Sequence, residues 1–163
     1  MFTIEFNNDQ ITPALGRVAA ALGDMTPVMQ DLAELWLSST QDRMERGEQP
    51  DGTPFAPRSP TTLEQYAAQG FIFGAPLNLT GEMRQQLATE SGSDFLRIGS
   101  NAIQSAVMQF GASQGAFGST AKGGPIPWGD IPARPFLGIS DEDETNMMAE
   151  LAEWLETAAS GTN

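Results

Sequence analysis

Carboxylates outnumber every other reactive side chain in this protein, and the first question is whether their spacing makes a site. Asp141, Glu142, Asp143 and Glu144 form one run, which suggests a hard cation. A calcium loop needs alternate ligands and a glycine at its turn, and this run has neither. Acids at the start of a helix, against its positive end, explain the run without a ligand. Glu45 with Glu48, or Asp130 with Asp141, have the residue types of a hydrolase's acid and base, but no spacing in the sequence brings either pair together. The 163 residues contain no His and no Cys, which excludes a His-based triad, a Cys nucleophile, a thiolate zinc site and a disulfide framework. The glycines between 111 and 124 lack the GxxxxGK[ST] order that cradles phosphate. The expectation is a protein that is not an enzyme, with no catalytic residue, no cofactor and no metal.

Charge narrows the partners. Twenty-one acidic residues against eight basic ones give a formal net charge of −13. The basic set is seven Arg and a single Lys, Lys122. Phosphate backbones and anionic membranes repel such a chain, so neither specific nucleic-acid binding nor membrane binding is expected. The same charge admits an alternative: an acidic binding module that mimics nucleic acid and inhibits a host DNA-binding enzyme. No stretch reaches the roughly 18 apolar residues that signal a membrane span, and the expected setting is a cytoplasm.

These residues must be positioned by a fold, which the spacing predicts to be α+β. Three to four helices are expected to pack on a small antiparallel β-sheet, in one domain over residues 1–159 with a disordered tail over 160–163. Phe2, Ile4 and Phe6 alternate with polar residues as in a short strand. A weak helix is expected from Pro13 to Leu22. The clearest early helix carries Met25, Val28, Met29, Leu32, Leu35 and Trp36 at three- and four-residue steps and stops at Gly47. A short helix is expected over 61–69, and Ser91-Gly92-Ser93-Asp94 marks a hairpin turn before a strand at Phe95–Gly99. Ala102–Phe110 reads as a short helix. Residues 111–129, with little periodicity, read as a long Gly-rich loop ordered by function or by a partner. Ala133–Ile139 suggests an edge strand, because Pro135 cannot donate to a central ladder. Ser140, an N-cap with Asp143 three residues on, opens a C-terminal acidic amphipathic helix whose stripe is Met147, Met148, Leu151, Trp154 and Leu155.

Two positions stand out as contacts. Trp128, between Pro127 and Gly129 in the Gly-rich loop, has the setting of an aromatic anchor for a partner. Arg134 lies between two X-Pro constraints that hold the backbone extended and fix its direction. It is expected to pair with a carboxylate, either local or on a neighbouring subunit.

Several segments taken in order resemble the virion morphogenesis family of tailed phages, the tail completion proteins of Mu-like phages. They are Gln49-Pro50-Asp51-Gly52-Thr53-Pro54-Phe55-Ala56-Pro57, Leu79-Thr80-Gly81-Glu82-Met83, Ile98-Gly99-Ser100-Asn101, Met108-Gln109-Phe110-Gly111 and Ile131–Ile139, with PARPFLG at 132–138 the strongest. Where family members often carry Tyr-Ala and then His-Gln-Phe-Gly, this chain has Ser105-Ala106-Val107-Met108-Gln109-Phe110-Gly111, so no role of that Tyr or His transfers. The resemblance implies a structural protein of the phage tail or neck, assembled in the host cytoplasm and carried in the virion. It acts in tail completion and head–tail joining, as a homo-oligomeric ring of six subunits around the DNA channel. Its expected partners are copies of itself, tail tube and head-connector proteins, with genomic DNA passing through without specific binding. The interface residues expected are Trp128, Arg134, Pro135, Phe136 and Leu137, together with Gln109, Phe110 and Gly111.

Overall fold

The computed structural model describes residues 11–161; the strand expected at Phe2–Phe6 lies outside them. The elements are α1 (Ile11–Gly23), α2 (Thr26–Arg46), α3 (Pro60–Ala68), α4 (Glu82–Gln85), β1 (Leu87–Ser91), β2 (Leu96–Ser100), α5 (Ser105–Phe110) and α6 (Asp141–Ser160). The architecture is α+β: helices on a two-stranded antiparallel sheet. Six helices are present among the described residues where three or four were expected, and two of the six, α4 and α5, are only one or two turns long.

Local chemistry sets the long elements. Pro27 lies in the first turn of α2, and Gly47 ends it at φ +80°, returning its N–H to Arg43 O at 2.8 Å. α6 starts with a capping box: the Ser140 hydroxyl accepts from Asp143 N–H at 3.1 Å, and the Asp143 carboxylate accepts from Ser140 N–H at 2.9 Å. Ser160 closes α6 and Gly161 caps it in the left-handed conformation. In the hairpin, Glu90 faces Arg97 across the strands and the two side chains pair at 3.2 Å.

The core joins α2 to α4, to β1 and to segments without regular structure. Met44 of α2 packs with Phe55, Met83, Leu87, Ala102 and Phe136. Along α2, Val28 and Leu32 of the expected stripe are buried, and the buried line continues through Ala33, Thr40, Arg43 and Met44. α6 packs on both α1 and α2.

One expectation is corrected and another is made specific. Residues 133–139 form no strand; instead the N–H groups of Arg134, Phe136 and Leu137 are taken by Met108 and Gln109. Residues 111–129 form the expected Gly-rich loop, with neither helix nor strand, and isolated bridges tie it together. Ala112 and Ile131 bridge through paired hydrogen bonds of 2.9 and 2.7 Å, and Phe117 N–H to Ile126 O, Ile126 N–H to Gly118 O and Thr120 N–H to Gly124 O, each 2.8 Å, carry the pairing outward. The result is a hairpin-like arm, with Ser119 bridged to Pro125 near its tip. Its glycines and prolines interrupt the alternation by which a strand is recognised.

Candidate functional site

The candidate site is built around residues 131–138, and the prolines explain its local form. Pro132 and Pro135 keep Ile131 and Arg134 out of the helical region, so the segment lies straight across the end of α5. Arg134 N–H donates to Met108 O at 2.7 Å. Phe136 and Leu137 N–H both donate to Gln109 Oε1 at 3.0 Å, and Gln109 Nε2 donates to Leu137 O at 3.1 Å. One amide side chain therefore supplies the hydrogen bonds that a neighbouring strand would otherwise provide.

Arg134 turns inward and is 7% exposed. Its guanidinium donates to three carbonyls: Nε to Ala56 O at 2.6 Å, Nη2 to Pro57 O at 2.7 Å and Nη1 to Pro132 O at 3.3 Å. Burial, with the Arg58 charge a smaller cause, lowers its pKa below the usual arginine value. Among the described residues no carboxylate forms an ion pair with it. Its fork ties the Gln49–Pro57 connector to the PARPFLG segment, two stretches nearly 80 residues apart.

The glycines permit close approach. A Cβ on Gly111, whose φ is +73°, would stand 2.7 Å from Ile131 O and 2.9 Å from Ala133 N. A Cβ on Gly138 would stand 2.7 Å from Pro50 Cγ. Gly138 O accepts from Trp36 Nε1 at 3.0 Å and from Arg43 Nη2 at 3.1 Å.

Beside this junction lies an ion pair that sequence reasoning missed. Arg43 Nη1 meets Asp143 Oδ2 at 2.6 Å, and both side chains are buried. Burial alone would raise the Asp143 pKa. Hydrogen bonds from the Ser39 and Ser140 hydroxyls and the Ser140 N–H, with the Arg43 charge, outweigh it and hold the carboxyl below the usual aspartate value. The cap role of Asp143 was visible in Ser140-x-x-Asp143; its partner, 100 residues away, gave no signal.

Of the eight residues expected at an interface, six are thus brought together inside one chain: Gln109, Gly111, Arg134, Pro135, Phe136 and Leu137. Phe136 fills the core at 1% exposure. The other two face out, Phe110 at 79% and Trp128 at 80% exposed. Trp128 sits on the arm, where its carbonyl accepts from Gln114 Nε2 at 2.7 Å. A cavity of about 460 Å³ opens between α3 and the arm's base, lined by Arg58, Tyr66, Leu77, Met83, Met108 and Arg134 among others. Arg58 spans its edge, donating to Gly74 O and Ala75 O and lying over the Tyr66 and Phe73 rings. Among the described residues no group of three or more carboxylates could hold a metal ion, and no helix is long and apolar enough to cross a membrane.

The segments that meet here are those on which the family resemblance rests, and comparison with known proteins agrees. The family model of the phage virion morphogenesis family matches residues 6–156. The chain belongs to that family. Among curated relatives of this morphogenesis protein, it is 32% identical over 135 residues to the putative capsid assembly protein G of Escherichia phage Mu, covering 78% of this chain and 81% of that one. It is 27% identical over 157 residues to the Mu-like prophage FluMu G protein 2 of Haemophilus influenzae, covering 96% and 97%. No solved structure matches. Membership gives the chain a structural role in building phage particles.

Proposed function

We propose that this protein completes the tail and joins it to the head, acting as a homo-oligomeric ring, six subunits round, about the DNA channel at the neck of the virion. It works by fitting against copies of itself and against tail tube and head-connector proteins, and it carries no reactive centre. The observation that carries this reading is the division of its conspicuous residues. The family-like segments are spent on holding one chain together, while Phe110, Phe117 and Trp128 stand exposed on and beside an arm that leaves the core. Apolar rings at that exposure mark contact surfaces. The negative surface would let DNA pass without sticking.

Light scattering on the purified full chain and localisation in a cryo-EM map of assembled particles test the proposal together. A closed ring at the tail–head junction is expected. A monomer in the particle, or no density at the neck, would defeat it. The acidity of α6, which holds seven carboxylates and no basic residue, favours a second reading as a nucleic-acid mimic acting on a host enzyme. Recovery of a basic nucleic-acid enzyme from host lysate, released by high salt, would support that alternative; recovery of head or tail proteins would support the ring.

A further inference from the structure

Two surfaces of this chain have opposite character. Residues 111–129 hold no Asp or Glu and contain Lys122, the chain's single lysine. Lys122 takes part in none of the four ion pairs found among the described residues. On the same arm Phe117, Ile126 and Trp128 are exposed. Elsewhere, Ile139, Met147 and Met148 line a groove of about 420 Å³ at the start of α6, with Asp141 and Glu144 on its rim. Ile139 and Met148 are more than half exposed.

Two copies of a chain with net charge −13 repel one another. Contact between them is easiest where one side brings no carboxylate. Arm against arm would oppose two Lys122 side chains, and α6 against α6 would oppose two sets of six carboxylates, Asp143 being buried. Arm on α6 is the pairing of these surfaces in which the signs are opposite and both sides are apolar. We infer that the arm of one copy seats in the α6 groove of the next. In that contact Lys122 is set against the Asp141 and Glu144 carboxylates, and the exposed rings of the arm cover Ile139 and Met148. This inference rests on the self-association proposed above and names its surfaces. Because the two surfaces differ, the contact is head to tail, the kind that generates a ring when its rotation closes and a filament when it does not.

The test is complementation between two full-length variants, each checked for native circular dichroism and then followed by light scattering. Phe117→Ser/Lys122→Glu breaks the arm; Ile139→Ser/Met148→Glu breaks the groove and leaves Glu144 in place to repel the altered arm. Each alone should associate at least tenfold more weakly than the wild type. Mixed, they should form a one-to-one pair that grows no further, since one intact arm and one intact groove remain. In a single chain, Lys122→Glu with Glu144→Lys should recover association to within tenfold of the wild type. If the wild type associates and these variants associate equally well, the arm–groove contact is wrong while self-association stands. A mixture that stays monomeric also overturns it. A wild type that is monomeric at every concentration removes the self-association, and the contact with it.

Discussion

The junction around Arg134 and the arm that leaves it are adjacent in sequence and opposite in construction. At the junction, side chains bond to backbone across long separations: Arg134 to Ala56 and Pro57, Gln109 to Phe136 and Leu137, Trp36 and Arg43 to Gly138. In the arm, bonding is mainly backbone to backbone within about 20 residues, with short-range help from side chains such as Gln114, and the large apolar side chains are left outside. The difference teaches that sequence distinctiveness and surface availability separate here. PARPFLG is the most recognisable stretch and is largely spent inside the fold, whereas the arm, poor in pattern, presents the aromatic surface.

That contrast can be broken from its buried side first. Phe136→Ala should cost about 3–5 kcal/mol of unfolding free energy, measured by denaturant titration, because it empties the centre of the core. Arg43→Ala should cost a similar amount, about 3–5 kcal/mol, since it strands a buried Asp143. Arg134→Ala should cost about 1–3 kcal/mol in all, since the carbonyls of exposed Pro57 and Pro132 can turn to water; a variant as stable as the wild type would show that the fork is dispensable. Acid titration sharpens the comparison further. Asp143 has a folded pKa below its unfolded value, so the stability it contributes is present above the unfolded value, about pH 3.9, and is lost as pH falls through the folded one. Asp143→Asn should therefore flatten the acid limb of the stability curve below about pH 4. On the exposed side, Trp128→Ser should change monomer stability by no more than about 0.5 kcal/mol while weakening association in light scattering. A large stability loss there would erase the distinction between the two regions.

Much of the scaffold was legible because it depends on neighbours in sequence. The stripe and Gly47 stop of α2, the Ser140–Asp143 cap of α6 and the Ser91–Asp94 turn of the β1–β2 hairpin are all local signals. What was not legible depends on partners far along the chain. Nothing near Arg43 in sequence marked Asp143 as its partner. Arg134 was expected to seek a carboxylate, but backbone carbonyls leave no residue type to look for. The strand expected over 133–139 had the right extended backbone; its hydrogen-bond partner is the Gln109 side chain, which no strand pattern records. The arm hid for the opposite reason, since Gly and Pro permit its turns while erasing the two-residue alternation.

The Gln109 amide has one more consequence. A straight backbone with free donors invites any passing strand to zip onto it, a hazard that grows where many identical molecules crowd together. By occupying the N–H groups of Phe136 and Leu137, this side chain acts as a stopper in an open socket. Copies of the chain brought close together can then touch without fusing along their main chains.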